Sequence, residues 1–396
     1  MEEAFFRTHT YLVEHTDAPV RRTLMDEIDW NDRMIGIKGT RGVGKSTFLL
    51  QYAKEHFGPH DRKCLYVNMN NFYFQSRGIA DFAGDFVNQG GRTLLIDQVF
   101  KQQDWSKELR KCYDLYPELK IVFTGSSVMR LKEENPELNG IVKSYNLRGF
   151  SFREYINLKT GNDFQPYELD DILRNHEHII KQILPKVSPM KYFNDYLHHG
   201  FYPFFLEQRN FTENLLKTMN MMTEVDILLI KQIELKYLPK IKRLFYELAV
   251  EGAKAPNVSQ LAESINTSRA TVMNYIKYLA DSRLINMIYP DGQDFPKKPS
   301  KVMMHNTNLM YAIYPIQIDK QEVMETFFVN SLWKDHKVHQ GGKDHYYTVD
   351  GNRKFRICDA QTPNKMRSNP DTIYARYNTE VGKDNKIPLW LLGFLY

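Results

Sequence analysis

The sequence predicts an α/β protein: a parallel sheet wound on both faces by helices, then a helical lid, a winged helix-turn-helix and a small terminal α/β unit. Three observations predict it. An apolar run (Met34, Ile35, Ile37) leads through Gly39-Thr-Arg-Gly-Val-Gly44-Lys45-Ser46-Thr47 into an amphipathic stretch, which reads as strand, glycine loop and helix. Short apolar runs then alternate with helical ones as far as Ser127, the pattern of parallel strands with helical crossovers. Between residues 238 and 314 the pattern changes to three helices followed by two strands. At 396 residues the chain has room for two to four cores, with boundaries expected at 1–160, 161–236, 237–316 and 317–396.

The glycine loop fits G-x-x-x-x-G-K-[ST] at every fixed position. Gly39, Thr40, Arg41, Gly42, Val43, Gly44, Lys45, Ser46 and Thr47 are thus the candidate cradle for the phosphates of ATP. The glycines let successive N–H groups turn inward, and the helix N-terminus adds partial positive charge. Lys45 would reach the β- and γ-phosphates, and the Ser46 hydroxyl would bind Mg²⁺. Cys64–Asn68 reads as a second strand and Ile79–Asn88 as a helix. Arg92-Thr-Leu-Leu-Ile-Asp97 reads as a buried strand ending in an acid, placing Asp97 as the second Mg²⁺ residue. Gln98 follows, where nucleotide-hydrolysing relatives usually carry glutamate. An amide can orient water but cannot take its proton, so binding is expected to outlast hydrolysis. After a helix (Trp105–Tyr116), Lys120–Ser127 forms the next strand. Ser126 and Ser127 read equally as a γ-phosphate sensor or as a strand-ending turn.

Residues 1–33 read as a lead-in with one helix, Val20–Ile28, whose Arg21 and Arg22 read as a solvated face in preference to contacts with a nucleotide base or phosphate. Ser151 and Glu154 form a capping-box pair opening another helix. Helices dominate to about residue 235, interrupted at Gly200-Phe-Tyr-Pro203, which a plain turn explains. In the next segment Leu238–Val250, Asn257–Ile265 and Thr267–Leu279 are the helices, with strands at Leu284–Tyr289 and Val302–His305. Ser268, Arg269, Thr271 and Asn274 would face DNA from the third helix, and Lys297, Lys298 and Lys301 lie in the wing. Such modules also serve as protein contacts or lids, and this helix carries few cations. The remainder reads as a helix (Val323–Trp333), two or three strands between Lys337 and Ile357, and closing strands at Thr372–Tyr374 and Ile387–Tyr396.

Composition adds limits. Apolar residues make up 42% and charged residues 26% of the chain, the balance of an ordinary globular protein. A net charge of +5, mixed along the chain, permits an anionic partner without demanding one. Three scattered cysteines suggest a reducing, cytoplasmic setting, the N-terminus is no signal peptide, and no apolar run is long enough to span a membrane.

These pieces in this order resemble a bacterial and archaeal family of AAA+/STAND-like ATPases, of the type abundant in gut Bacteroidales. In that family a P-loop domain and a winged helix precede a C-terminal domain of PD-(D/E)XK nuclease type. The resemblance rests on Gly36–Ser46, Lys120–Ser127, Leu147-Arg-Gly-Phe-Ser-Phe-Arg-Glu-Tyr155, Gly200–Pro203, His305-Asn-Thr-Asn-Leu-Met-Tyr311 and Gly382–Tyr396. It implies that Gly200 and Pro203 pack near the nucleotide base and that Ser126 or Ser127 is the sensor. It also exposes departures. Gln98 replaces the catalytic glutamate. Gly140 and Ile141 stand where relatives carry an arginine pair, and the nearby Lys143 lacks the bidentate fork. Tyr346, Arg356 and Ala360 fall at the nuclease ligand positions, leaving Glu325, with Asp344, Asp350 and Asp359 nearby. The resemblance therefore implies an ATP-binding protein, working as a homo- or hetero-oligomer, whose nucleotide state controls assembly or DNA engagement with weak or absent hydrolysis. The alternatives are an active ATPase coupled to nucleic-acid remodelling or cleavage, and an ATP-independent winged-helix regulator.

Overall fold

In the computed structural model, residues 2–129, 131, 133–207, 210–316, 318–342, 346–361 and 369–396 are described. They divide into two compact units, 1–148 and 149–396. Among the described residues no helix is long and apolar enough to cross a membrane.

The first unit runs α1 (Glu2–His15), α2 (Leu24–Glu27), β1 (Met34–Gly39), α3 (Lys45–His56), β2 (Cys64–Asn68), α4 (Ile79–Asn88), β3 (Thr93–Asp97), α5 (Trp105–Leu115), β4 (Lys120–Ser126) and β5 (Lys143–Asn146). Its strands form one parallel sheet in the order β2-β3-β4-β1-β5. Every residue of β3 is buried, as a strand covered on both faces requires. Because β4 lies between β1 and β3, the C-terminal ends of these three strands are neighbours. Gly39 sits beside Ser126, and Asn68 beside Asp97.

Three features differ from the sequence expectation. Helix α1 was not expected. Its buried residues Phe6, His9 and Val13 follow helical spacing, but a histidine occupies the middle of the stripe and masks the apolar signal. The expected helix Val20–Ile28 shrinks to α2, and Arg22 is buried rather than solvated. Strand β5 is short, polar and largely exposed, an edge strand without the apolar run that marks its neighbours.

The second unit continues with α6 (Phe152–Thr160), α7 (Leu169–Ile183), α8 (Met190–Asp195), a π-helical turn (Tyr196–Gly200), α9 (Phe211–Met221), a second π-helical turn (Met222–Ile227) and α10 (Leu228–Ile230). The capping box of Ser151 and Glu154 opens α6. Then come α11 (Leu238–Glu251), α12 (Val258–Ser264), α13 (Arg269–Asp281) and an antiparallel hairpin, β6 (Ile285–Ile288) with β7 (Lys301–Met304). After α14 (Thr307–Ile313) and α15 (Lys320–Leu332) the chain ends in β8 (Val338–Gln340), β9 (Tyr347–Val349), β10 (Arg353–Asp359), β11 (Thr372–Tyr377) and β12 (Lys386–Pro388). These pair in the order β12-β11-β10-β9-β8, parallel from β10 to β12 and antiparallel from β8 to β10.

One hydrophobic cluster joins Phe152 of α6, Ile179 of α7, Ile288 and Met303 of the hairpin, Phe327 of α15, and Trp390 and Phe394 at the C-terminus. Segments expected as separate domains thus share a core, and the break between units falls before α6 rather than after it. The expected strand Ile387–Tyr396 is a strand only to Pro388. Proline cannot donate to a ladder, and Leu389–Phe394 continues as a buried 3₁₀ helix.

Inside this unit a buried polar clamp holds the first π-helical turn. The Asn308 amide donates to the carbonyls of Leu197 (2.8 Å) and Tyr196 (3.2 Å), and its oxygen accepts the Phe201 N–H at 2.9 Å. Thr307 Oγ1 donates to the Leu197 carbonyl at 2.6 Å. A π-helical turn displaces backbone partners from their α-helical positions, and these side chains supply the replacements.

Candidate functional site

The site is built where β1, β3 and β4 end. Gly44 caps α3 with φ of 94°, a left-handed conformation that glycine adopts without steric cost. At Gly39 a side chain would run into the Leu147 carbonyl oxygen, so the loop must start on a residue without one. No side chain caps α3 and no acid lies in its first turn, which leaves its positive end open toward an anion. Lys45 Nζ donates to the carbonyls of Gly39 (2.9 Å) and Thr40 (2.7 Å), folded back over the loop. Thr40 is buried, and its Oγ1 has no hydrogen-bond partner among the described residues. Thr47 is exposed, whereas Arg41, Gly42, Lys45 and Ser46 are half-buried and Val43 is buried.

Asp97 is the hub. It is 1% exposed, and among the described residues its carboxylate accepts from four side chains on three elements. Ser46 Oγ of α3 lies 2.6 Å from Oδ2, Tyr66 Oη of β2 lies 2.8 Å from it, and Asn68 Nδ2 lies 3.2 Å away. Thr124 of β4 donates to Oδ1. Burial first, and then the neighbouring carboxylate, pushes the Tyr66 phenol well above its ordinary pKa, so it stays protonated and donating. The structure therefore brings Ser46 and Asp97 together, the pair assigned to the metal.

Gln98 follows at φ of 55° and ψ of 47°, with its backbone N–H on Thr124 Oγ1 at 2.9 Å. Thr124 thus ties the Asp97 carboxylate to the Gln98 backbone. Ser126 is buried, and its Oγ accepts the Val128 N–H at 3.3 Å, the turn-making role; Ser127 is half-buried just beyond. Sequence reasoning missed Tyr66, Asn68 and Thr124. Their signal was polar residues near the ends of otherwise apolar strands. It also misplaced Arg22, whose guanidinium donates to the Val43 carbonyl (3.2 Å) and to that of Arg148 (2.7 Å), bracing the back of the loop.

The other expected site residues lie in the second unit. Gly200 closes the π-helical turn, where a Cβ would collide with the Tyr196 ring, and Pro203 opens a short 3₁₀ helix. Ser268 caps α13 through the Thr271 N–H, so both are engaged in the helix start, while Arg269 and Asn274 are exposed. Lys297 and Lys298 are exposed in the hairpin loop alongside Asp291 and Asp294. Lys301 is not a surface cation. Its ammonium is 2.7 Å from Glu325 Oε2, which also accepts from Tyr347 Oη at 2.7 Å.

That pairing takes the helix-borne acid of the terminal unit. Arg356 lies over the Tyr346 ring at 5.3 Å, and the Ala360 N–H pairs with the Tyr377 carbonyl. Asp350 is paired with Arg353 and His336, and Asp359 accepts from Asn378. Asp344 lies outside the described residues. Among the described residues no group of three or more His, Cys, Asp or Glu side chains could hold a metal ion.

Residues 31–156 match the AAA domain family, and residues 190–320 match a domain of unknown function. The chain is similar to an uncharacterized protein of Methanocaldococcus jannaschii, 26% identical over 294 residues. That match takes in 70% of this chain and 61% of the relative, so the chain spans about three fifths of its length. Among solved structures it is similar to the Aeropyrum pernix ORC1 protein in complex with DNA, at 11% identity and TM-score 0.29 over 80% of this chain and 92% of that one. It is also similar to AMPPCP-bound DnaA from Aquifex aeolicus, at 13% identity and TM-score 0.23 over 69% and 86%.

Proposed function

We propose that this chain binds ATP with Mg²⁺ at the loop 39–47, hydrolyses it slowly or not at all, and uses its nucleotide state to set assembly. The carrying observation is the 2.6 Å contact between Ser46 Oγ and the buried Asp97 carboxylate, which joins the phosphate loop to the end of β3. The donor set suits the implied group: a hydroxyl and a carboxylate are oxygen ligands for a hard dication. Thr40 Oγ1 adds a buried polar atom free to meet a ligand. Bound Mg²⁺ would supply charge neutralisation at the phosphates. Lys45 would leave the loop carbonyls for a phosphate oxygen, and Gln98 would orient water without accepting its proton.

Assembly is favoured over direct DNA engagement by the charge of the hairpin loop. Lys297 and Lys298 are balanced there by Asp291 and Asp294, and Lys301 is withdrawn to Glu325, which leaves little net attraction for phosphates. ATP affinity and single-turnover hydrolysis, measured side by side for the chain, Lys45→Ala and Gln98→Glu, test the reading. The expected result is Mg²⁺-dependent binding without appreciable turnover, binding abolished in Lys45→Ala, and a rate gain of roughly 10² to 10⁴ in Gln98→Glu. Brisk hydrolysis by the unaltered chain would overturn the role given to Gln98. Absence of binding would overturn the whole reading.

A further inference from the structure

We propose that Tyr66 is a positioning residue for Asp97 and that His9 of α1 sets Tyr66 in place, making the N-terminal helix part of the magnesium-binding apparatus. The inference rests on the nucleotide reading above. Strand β2 is an edge of its sheet, so alternate N–H groups face away from β3 and need other partners. The Tyr66 N–H finds one in His9 Nδ1, at 3.0 Å. The imidazole is fully buried, and its Nε2 has no hydrogen-bond partner among the described residues. A phenylalanine or leucine would fill that place in the α1 stripe without stranding a polar nitrogen. What neither could do is accept the Tyr66 N–H. The same residue reaches the site with its other end, since Tyr66 Oη donates to Asp97 Oδ2 at 2.8 Å. With Thr124 holding Oδ1, the carboxylate is fixed from both sides by β2 and β4. Of its donors among the described residues, only Ser46 comes from the loop-and-helix side. Removing the Tyr66 hydroxyl would free the carboxylate to rotate away from the geometry it shares with Ser46.

Groups that orient a metal-binding carboxylate typically change metal affinity about 10- to 100-fold when removed. The test titrates Mg²⁺ against the affinity of a fluorescent ATP analogue in the full chain, with thermal midpoints recorded without nucleotide. Tyr66→Phe and His9→Leu are expected to raise the half-saturating Mg²⁺ concentration about tenfold while leaving Mg²⁺-free affinity unchanged. His9→Asn, whose amide oxygen can take the place of Nδ1 as acceptor, should stay near the unaltered chain. An unchanged Mg²⁺ requirement in Tyr66→Phe overturns the proposal. So does a parallel loss of Mg²⁺-free and Mg²⁺-dependent affinity, which would mark a structural role. If the unaltered chain binds no nucleotide, the parent reading has failed, and that is visible before any variant is made.

Discussion

His9 carries a second consequence at the scale of a single residue. Burial lowers its pKa to about 4, against an ordinary value of 6.5, so it is neutral in the folded chain at any pH above that. When unfolded it takes up a proton near pH 6.5. Between the two values the unfolded state binds more protons, so stability is fully present above about pH 6.5 and falls as pH drops toward 4. Each tenfold change in proton affinity is worth roughly 1.4 kcal/mol, so the loss from this residue is on the order of 3 kcal/mol. Urea midpoints at pH 7.5, 5.5 and 4.5 should therefore fall more steeply for the unaltered chain than for His9→Asn, which has nothing to titrate there. Equal slopes would mean that His9 is hydrated or already charged in the folded state. Residues of this kind explain what sequence could reveal of the site. Lys45 and Ser46 could be named because their motif fixes both residue type and spacing, and Asp97 because an acid ends an apolar strand. Tyr66, Asn68 and Thr124 could not, because they meet Asp97 from two other strands, and strand order is not written in local pattern.

At the scale of elements, the polar clamp on the π-helical turn and the capping box of α6 make a graded comparison. Ser151 accepts the Glu154 N–H at a helix start, and its loss to alanine should cost about 1 kcal/mol, the usual value for an N-cap. Asn308→Ala is a heavier change. It strands the Phe201 N–H and weakens two buried carbonyls at once, and each unsatisfied buried group costs about 1–3 kcal/mol. Chemical denaturation should rank Asn308→Ala as the more destabilising, with Thr307→Val between them because Asn308 still serves the Leu197 carbonyl. A reversed order would mean that water replaces the Asn308 contacts. The same elements show where pattern reading stops. The run His305-Asn-Thr-Asn308 stood out as a motif, and two of its members, Thr307 and Asn308, satisfy backbone groups more than a hundred residues away in the chain. Helix α11, with its clean apolar stripe, was legible, and α7 only as part of a stretch read as helical. Helix α1 was hidden by its histidine, and β5 by its polarity.

For the whole molecule, the division into 1–148 and 149–396 matters more than the four segments read from composition. Composition marks changes of pattern, and three helices and a hairpin do lie between Leu238 and Met304. It could not tell that Ile288, Met303, Phe327 and Trp390 share one cluster, because side chains from distant segments must meet before a core exists. Two cores predict two cooperative transitions on unfolding. A ligand that binds only the folded first unit stabilises that unit by RT ln(1 + [L]/Kd), about 2.7 kcal/mol at a hundredfold excess over Kd. Saturating Mg²⁺ and ATP should therefore move one transition and leave the other in place. The shifted transition should be the one reported by Trp30 or Trp105, the two tryptophans of residues 1–148, and not by Trp333 or Trp390. Single-tryptophan variants followed by fluorescence through a denaturant series make that assignment. If nucleotide moves the Trp390 transition instead, the ligand is held by the second unit, and the loop 39–47 is not where the binding energy is delivered.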